Sequence, residues 1–544
     1  MRVSFAVVAT LAFTLAACGS RSSFDDWMSI DAGGVSASDA GPVDGSKADA
    51  PTITGGRPPV ALVWGTCSRA YSHADECATF SAPLLGDDMS QIVSVHIAHI
   101  KSTQAGAPQI WMLQGGPGGS AVDMVELAKQ YMRGQLPDAE YFAIDHRGTG
   151  LSSGLTCAAS KAADCVSQLA TKWGADGLSG FSTSQAARDV DQAIASTRAP
   201  SQKVFLYGVS YGTYWAHRVL QLAQQPIDGV ILDSFSIPTS TFANTNKFFD
   251  DVFKTLVEDC VKLDTTCASK LGTSPWQFVE TTMKSHKAGT LCKEAGLSHN
   301  GLKNGLSTLM QYEDVHGLLP ALVYRLSRCS AEDQRVLARV DLGERTGASF
   351  DSDEQFSTPL YYNVVMGELW PTPTPTQATL SALADSMTIA TTSVAEFPSI
   401  AASWPRYPSD PYIGQWYTGG VPVLTLNSAL DVQTPAAETR EAATRLVAAG
   451  QTYVEFPYNN HGVILDDTGC ATSLIRSFMG SPAAKLNTAC TAKTTPPRFT
   501  DDGTMRTYFN VNSTWQVNVT TPPADVLRTK PRLRFGRPQR HADY

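Results

Sequence analysis

Short apolar runs alternate with helix-like stretches over residues 91–232, and this rhythm restricts the fold more than any other feature of the sequence. The strand-like runs lie at residues 91–100, 109–113, 141–144, 204–209 and 229–232. The helix-like stretches lie at residues 121–132, 185–197 and 213–224. A chain in which strands and helices take turns predicts a mostly parallel sheet whose two faces are covered by helices.

The alternation stops after Asp233 and returns only near the carboxyl end of the chain. Residues 240–410 are rich in helical patterns, and strand-like runs reappear at residues 421–426 and 452–456. An insertion of this size between two strands predicts a cap that lies over the carboxyl edge of the sheet. The pattern therefore predicts an α/β fold in which a large helical cap is inserted between late strands.

The first 18 residues have the composition of an export signal. Arg2 precedes an apolar run over residues 3–17 that is too short for a comfortable transmembrane helix. The run ends in L-A-A-C, which resembles a bacterial lipobox, so we expect cleavage before Cys18 and lipidation of that cysteine. Gly and Ser, rather than Asp, follow Cys18, which favours the outer membrane by analogy with known lipoproteins. The alternative is an ordinary secretory signal in which the cysteine is incidental.

Composition defines the remaining segments. Residues 19–58 are dominated by Asp, Ala, Gly, Ser and Pro, which predicts a disordered linker. At the other end, Trp515, Val517 and Val519 alternate with polar residues like one edge strand, and the basic, Pro-rich residues 528–540 suggest a solvated tail. The expected segments are a signal peptide at 1–18, a linker at 19–58, the first part of the core at 59–239, the cap at 240–410, the second part of the core at 411–497 and a tail at 498–544.

The ten cysteines after Cys18 form an even set, which in an exported chain argues for disulfides. The first six fall into three close pairs, so local bridges are the simplest connectivity. The expected bridges are Cys67–Cys77, Cys157–Cys165, Cys260–Cys267, Cys292–Cys329 and Cys470–Cys490. No C-x-x-C or H-x-x-x-H pattern indicates a metal site. A formal net charge of −9, with no sizeable basic patch before the tail, argues against a nucleic-acid partner.

Residues 208–212 read G-V-S-Y-G and fit the pattern G-x-S-x-G. A serine on a very tight strand-to-helix turn needs small residues two positions to either side, so that its hydroxyl projects above the sheet. The context fits, because the run before Ser210 is strand-like and the run after it is helix-like. We therefore predict that Ser210 is a nucleophile; the alternative is a surface serine in a glycine-rich turn.

A glycine-rich loop, Q-G-G-P-G-G-S at residues 114–120, follows the strand-like run at 109–113. Acyl transfer needs backbone N–H groups aimed at the developing oxyanion, and glycines let the backbone approach the substrate closely. With a G-x-S-x-G nucleophile, one donor is the residue after the serine, here Tyr211, and the second comes from such a loop. We predict Gly116 as the second donor. A phosphate-binding loop is the rival interpretation, but no Lys-Ser/Thr follows the glycines.

Three motifs in order, G-G-P-G-G at 115–119, D-H-R-G-T-G-L-S at 145–152 and G-V-S-Y-G at 208–212, resemble the prolyl and tripeptidyl aminopeptidases of the α/β-hydrolase fold. The G-V-I-L-D sequence ending at Asp233 and the region 414–495 also resemble the tripeptidyl branch, including its TAP-like C-terminal module. The resemblance implies an α/β-hydrolase fold and a serine peptidase that needs no cofactor. One departure is Gln114, which stands where prolyl aminopeptidases usually have His.

The remaining members of a Ser–acid–His triad follow the nucleophile in the chain. His461, in N-N-H-G, follows the strand-like run at 452–456 and is the predicted base. Asp431, in N-S-A-L-D, follows the run at 421–426 and matches the acid of the resembled family. Asp233 is the rival acid, because it also ends a strand after the nucleophile. In such a triad the imidazole takes the serine proton and the carboxylate fixes the tautomer of the imidazole.

The sequence thus predicts an exported, lipid-anchored serine aminopeptidase that removes short N-terminal units from peptide substrates and contacts the membrane only through its lipid anchor. A substrate α-ammonium group needs a carboxylate partner, and the cap offers Glu313 and Glu368. Related aminopeptidases carry an acidic residue in a segment resembling that of Glu368, which makes it the preferred candidate. The alternatives are a carboxylesterase or lipase on the same machinery and a catalytically silent surface-binding lipoprotein.

Overall fold

The computed structural model describes residues 56–174, 176–243, 245–341, 354–391, 397–408 and 410–517. Several sequence predictions fall outside these residues: the signal peptide with Cys18, most of the linker, and the end of the chain with Val519 and the basic tail.

One sheet of eight strands organises the described residues, in the spatial order β1-β2-β4-β3-β5-β6-β7-β8. The strands are β1 Glu76–Leu85, β2 Asp88–Ile100, β3 Gln109–Leu113, β4 Glu140–Ile144, β5 Val204–Val209, β6 Gly229–Asp233, β7 Val423–Ser428 and β8 Gln451–Phe456. The pairs β1–β2 and β2–β4 are antiparallel, and every later pair is parallel. The predicted α/β fold with a mostly parallel sheet is confirmed.

Helices cover both faces of the sheet and fill the insertion between β6 and β7. Before the insertion lie α1 Val122–Leu127, α2 Ala162–Trp173, α3 Thr183–Thr197 and α4 Tyr211–Leu222. The insertion contains α5 Phe249–Leu263, α6 Thr265–Leu271, α7 Pro275–Lys287, α8 His299–Leu309, α9 Leu319–Arg328, α10 Ala331–Val340, α11 Thr358–Val364, α12 Gln377–Ser386 and α13 Phe397–Ser403. After it come α14 Ala436–Thr439, α15 Ala442–Arg445, α16 Cys470–Gly480 and α17 Asp502–Phe509.

Alternate side chains of the central strands enter different apolar cores, as the two-residue repeat of a strand requires. On β3, Trp111 joins the core under α3 and α4, whereas Met112 joins the core under α1 and α16. A third core, which includes Phe253 and Leu322, lies within the cap. Full burial of side chains of this size contributes about 1.5–3 kcal/mol each.

Strand β1 has no counterpart among the predicted strands. Its sequence, E-C-A-T-F-S-A-P-L-L, contains small residues and Pro83 instead of a run of β-branched residues. Among the eight strands it pairs with β2 alone, and apart from a bridge between Cys77 and Gly65 it forms one edge of the sheet, where a strand tolerates proline because one side needs no continuous ladder of hydrogen bonds. Tertiary pairing with β2, rather than local propensity, makes this segment a strand.

Residues 498–517 pack against the cap, and the expected edge strand is wrong for the part of it that is described. Trp515 is buried in the cap core and donates its indole N–H to the carbonyl of Phe499 at 2.6 Å. Arg325 and Arg328 bind the backbone carbonyls of residues 513–516. Because these arginines occupy the carbonyls, the segment forms bends instead of a strand.

All five predicted disulfides are confirmed. They join Cys67 to Cys77, Cys157 to Cys165, Cys260 to Cys267, Cys292 to Cys329 and Cys470 to Cys490. Several disulfides in one chain indicate an extracellular or exported protein. Within the described residues, no helix is both long enough and apolar enough to span a bilayer.

The C-terminal packing gives a stability prediction. Arg325 is fully buried and binds Glu332 and Asp333 as well as the carbonyls of residues 513, 514 and 516, so Arg325→Ala leaves buried carboxylates short of a partner. We expect a loss of about 3–5 kcal/mol in the free energy of unfolding, measured by denaturant titration. The control is Arg445→Ala, which removes the exposed pair with Glu441 and should cost about 1 kcal/mol or less. Equal losses in the two variants would contradict the clamping role of Arg325.

Candidate active site

Ser210 occupies a tight turn between β5 and α4. Its backbone adopts φ 56° and ψ −129°, a conformation that L-residues rarely take and that structures retain mainly at functional sites. The flanking glycines explain the turn: a Cβ on Gly208 would collide with the carbonyl oxygen of Gly212, and a Cβ on Gly212 would collide with that of Leu113. The G-x-S-x-G spacing is therefore a steric requirement of this crossing.

His461 and Asp431 form a buried pair at the carboxyl edge of the sheet. The imidazole Nδ1 lies 2.9 Å from Oδ2 of Asp431, and both side chains are almost completely inaccessible to solvent. The other ring nitrogen, Nε2, is buried and has no hydrogen-bond partner among the described residues. In a Ser–His–Asp triad, the serine donates its proton to the ring nitrogen that does not contact the acid. The unpaired Nε2 is therefore the atom through which His461 would act as a base.

A local turn holds the carboxylate of Asp431. It accepts hydrogen bonds from the backbone N–H of Gln433 at 2.8 Å and of Thr434 at 3.0 Å, and from the hydroxyl of Thr434 at 2.6 Å. Burial alone would raise the pKa of Asp431, but the neighbouring His461 and the bonds from Thr434 outweigh burial and lower it. Asp431 is therefore ionised at neutral pH. The D-V-Q-T sequence carries an Asx-turn signal that could have identified Thr434 in advance.

Asp233, the rival acid, has different partners. Its carboxylate accepts hydrogen bonds from the hydroxyl of Tyr207 and from the backbone N–H groups of Val463 and Ile464. No hydrogen bond joins Asp233 to the imidazole of His461, which Asp431 contacts instead. Burial raises the pKa of Asp233. The geometry thus brings Asp431, rather than Asp233, to the candidate base.

The glycine-rich loop lies directly against the nucleophile. A Cβ on Gly115 would come within 2.8 Å of the Cβ of Ser210. The side chain of Gln114 accepts the N–H of Gly115 at 2.7 Å and donates to Asp123 at 3.1 Å, which fixes the start of the loop without the usual histidine. Within the described part of the chain, the N–H groups of Gly116 and Tyr211 donate no hydrogen bond.

The cap reaches the glycine-rich loop through residues 355–357. Gly119 and Phe356 form an antiparallel bridge, the N–H of Ser120 donates to the carbonyl of Gln355, and the N–H of Ser357 donates to that of Gly118. The loop that carries Gly116 is therefore held on one side by the strand β3 and on the other by the cap.

Glu368, the preferred ammonium partner from sequence, lies in a fully occupied buried network. Its carboxylate accepts hydrogen bonds from the N–H of Thr183 at 2.8 Å and the hydroxyl of Tyr407 at 2.6 Å, and it pairs with Arg218 at 3.4 Å. Arg218 also pairs with Asp410 at 3.0 Å. Sequence reasoning missed Arg218 because the arginine and Glu368 are 150 positions apart, and no local pattern connects them.

Glu313 lies in the cap beside the loop that carries His461. Its Oε2 lies 3.4 Å from the N–H of Asn460, and it has no other hydrogen bond or ion pair with a described residue. The side chain keeps solvent-accessible surface although protein atoms surround it on most sides. This burial, reinforced by Asp467 and Asp466, raises the pKa of Glu313 to about 7. Glu313 is thus an accessible carboxylate that forms no ion pair with any described residue.

Two protein-family models match segments of the chain. One, described as the alpha/beta hydrolase fold, matches residues 108–266, and the other, described as TAP-like protein, matches residues 388–490. The resemblance predicted from the sequence motifs is confirmed: the chain has the α/β-hydrolase fold and carries a TAP-like segment.

No curated protein matches the chain. Among solved structures, an esterase from Exiguobacterium antarcticum is 15% identical over 72% of this chain and 96% of its own, with a TM-score of 0.29. The proline iminopeptidase of Mycobacterium smegmatis is 12% identical over 74% of this chain and 98% of its own, with a TM-score of 0.32. At these values neither structure carries an argument about activity.

The pairing of Asp431 with His461 gives the second prediction. Asp431→Asn should reduce kcat by about 10⁴-fold, because an amide cannot hold the imidazole in the tautomer that leaves Nε2 free. The measurement is steady-state hydrolysis of a chromogenic ester, with Ser210→Ala as the reference for complete loss of the nucleophile. More than a tenth of wild-type kcat in Asp431→Asn would remove Asp431 from the triad.

Proposed function

We propose that the protein is an exported serine aminopeptidase that cleaves short units from the N-terminus of peptides. The observation that carries this proposal is the unpaired, solvent-accessible carboxylate of Glu313 next to the loop of His461. A neutral acyl group, as an esterase or lipase would bind, leaves this carboxylate without a cation, whereas a substrate α-ammonium group would pair with it.

The chemistry follows from the geometry around Ser210. The hydroxyl attacks the scissile carbonyl while Nε2 of His461 accepts its proton, and Asp431 stabilises the resulting imidazolium. The N–H groups of Gly116 and Tyr211 stabilise the oxyanion. His461 then protonates the departing amine, which leaves the N-terminal unit bound to Ser210 as an ester. Water, activated by the same imidazole, hydrolyses this ester.

The ammonium partner is assigned to Glu313 in place of Glu368. A carboxylate that already pairs with Arg218 and accepts bonds from Thr183 and Tyr407 has little capacity for a further cation. Glu313 has that capacity, because its one hydrogen bond to a described residue, from the N–H of Asn460, is long.

Asn460 carries a second acceptor on the loop of His461. Its side chain is oriented by donation from Nδ2 to the carbonyl of Gln311 at 2.8 Å, and its Oδ1 is buried and has no hydrogen-bond partner among the described residues. An ammonium group has three N–H donors, so a carboxylate and an amide oxygen suit it. Asn460 directly precedes His461 in the chain, and Glu313 contacts its backbone N–H.

A silent surface-binding lipoprotein is the alternative from another class. The strained conformation of Ser210, the fixed His461–Asp431 pair and the free N–H groups of Gly116 and Tyr211 speak against it. Such strain costs about 1–3 kcal/mol and persists where function requires it. A binding module would have no need of all these features together.

A comparison of two variants and two substrates tests the ammonium site. With a free N-terminus, Glu313→Gln should lower kcat/KM by about 30- to 150-fold, the equivalent of about 2–3 kcal/mol for a lost charge-assisted contact. With the same peptide N-acetylated, wild type should already be slow and Glu313→Gln should change little. Glu368→Gln is the control: because it weakens a structural network, it should affect both substrates equally.

The pH dependence of the same substrates adds a separate check. Ammonium binding requires ionised Glu313, so kcat/KM for the free peptide should rise as pH increases through about 7 and fall as the α-amine loses its proton near 8. Glu313→Gln should remove the contribution of the carboxylate to the rising limb. If Glu313→Gln reduces hydrolysis of both peptides equally, or if wild type prefers acetylated or simple ester substrates, the aminopeptidase proposal fails in favour of an esterase.

We also propose that Cys18 anchors the protein to the cell envelope. The lipobox-like sequence before Cys18 and the five disulfides support an exported chain. Mass spectrometry of the mature N-terminus should find Cys18 as the first residue, carrying acyl groups, and Cys18→Ala should release the protein from the membrane fraction. An unmodified N-terminus, or cleavage at another position, would refute the lipid anchor.

A further inference from the structure

Asp233 lies between the two strands that lead to Ser210 and Asp431. It ends β6, which lies between β5, the strand before Ser210, and β7, the strand before Asp431. Its backbone carbonyl accepts the N–H of Ser210 at 3.0 Å. The residue after it, Ser234, donates its N–H to the carbonyl of Leu426 on β7 at 2.9 Å. The backbone around Asp233 thus ties the nucleophile turn to the strand of the acid.

The side chain of Asp233 reaches the loop that carries the base. Oδ1 accepts the N–H of Val463 at 2.7 Å, and Oδ2 accepts the N–H of Ile464 at 2.8 Å. The hydroxyl of Tyr207 donates to Oδ2 at 2.7 Å and orients the carboxylate from β5. Both oxygens are therefore used to hold the two residues that follow Gly462 and His461.

Ser234 extends the same clamp by one residue. Its Oγ accepts the N–H of Gly462 at 2.8 Å, so three consecutive N–H groups after His461 are bound from the end of β6. Ser234 adopts φ 56°, in the left-handed region that disfavours residues with a side chain. It is, with Ser210, one of two strained serines that follow adjacent strands. The need for its hydroxyl to accept the N–H of Gly462 would explain why Ser234 adopts this unfavourable backbone conformation.

Asp233 is completely buried, and no Lys or Arg in the described part of the chain forms an ion pair with it. A buried carboxylate without a cation is costly, and here the hydrogen bonds from Val463, Ile464 and Tyr207 offset that cost. What the carboxylate adds is two oxygens in a fixed plane that bind two successive N–H groups. We propose that Asp233, together with Ser234, is a positioning residue that sets the location of the His461 imidazole relative to Ser210.

This inference rests on the proposed triad and makes Asp233 a participant in geometry, not in proton transfer. Asp233→Asn keeps the volume but turns one oxygen into an N–H₂ group, so at least one buried N–H of Val463 or Ile464 loses its acceptor. A displacement of about 1 Å at His461 is enough to slow catalysis by about 100-fold.

The experiment measures phosphonylation of Ser210 directly, with the full-length protein and a fluorophosphonate probe, and it compares Asp233→Asn with Asp466→Asn. Asp466 is also a buried carboxylate, between β8 and α16. Its side chain accepts the N–H groups of Cys470 and Ala471 and none from residues 462–464, and the bond from its backbone N–H to the carbonyl of Val463 does not involve the substituted group. The second readout is the far-downfield proton resonance of the His461 Nδ1–H, which is assigned by its loss in Asp431→Asn. Circular dichroism and thermal unfolding report the fold of each variant.

Asp233→Asn should slow phosphonylation by about 100-fold and shift or broaden the His461 resonance, whereas Asp466→Asn should lose comparable stability with phosphonylation within about 2-fold of wild type. The proposal is overturned if Asp466→Asn reacts as slowly as Asp233→Asn, or if a folded Asp233→Asn reacts at the wild-type rate. If Asp233→Asn does not fold, Ser234→Ala takes its place. It removes the acceptor for Gly462 and the long hydrogen bond from the Ser234 hydroxyl to Oδ1 of Asp233. An unchanged phosphonylation rate and His461 resonance would then refute the positioning role.

The two proposals fail in different ways. If wild type does not react with the probe at all, the serine hydrolase function is wrong, and the His461 resonance still shows whether Asp233 sets the imidazole position. If wild type reacts and hydrolyses acetylated peptides best, the aminopeptidase assignment fails while the comparison of phosphonylation rates remains valid, because the probe carries no ammonium group.

Discussion

The close crossing of β3, β5 and α4 is the constraint on which the candidate site depends. Gly212 passes so near the carbonyl of Leu113 that no side chain fits between them, and Gly208 is equally close to Gly212. This crossing forces the left-handed conformation of Ser210, which lifts the serine to the edge of the sheet. It also brings Gly115 against the serine. The same close packing therefore determines the positions of both the nucleophile and the glycine-rich loop.

Local patterns were sufficient to predict the framework of the fold. The apolar runs at β3 and β5 coincide with the strands, because buried parallel strands consist of continuous apolar residues. The disulfides could also be predicted, because each cysteine of these pairs bonds to its neighbour in sequence. The positions of Ser210, Asp431 and His461 at strand ends follow from the order of strands, and the structure brings Asp431 and His461 into contact.

Contacts between distant segments were beyond the reach of the same reasoning. Glu368 carries an acidic side chain in a suggestive place, but its pairing with Arg218 depends on how the cap docks on α4. Trp515 alternates with polar residues like a strand residue, yet it is buried by a cap core built from residues far earlier in the chain. In both cases the sequence defines the side chain and the tertiary packing defines its partner.

The cap takes part in the site at two separate points. Residues 355–357 pair with the glycine-rich loop, and residues 311–313 contact Asn460, next to His461. The Arg218–Glu368 pair fixes the cap to α4 behind Tyr211. A substrate group that binds between these two points would contact both the cap and the core. Under the proposed function, both parts of the chain therefore determine substrate selectivity.

The order of the disulfides bears on how the chain acquires its structure. Each of the ten cysteines in the described residues bonds to its neighbour in sequence, with separations of 10, 8, 7, 37 and 20 residues, and no bridge spans another. A chain that enters an oxidising compartment from its N-terminus therefore presents each pair before the next cysteine emerges. With Cys18 taken up by the proposed lipid anchor, oxidation of the other cysteines in order of arrival yields the native bridges directly, and no mispaired bond has to be reshuffled by thiol–disulfide exchange.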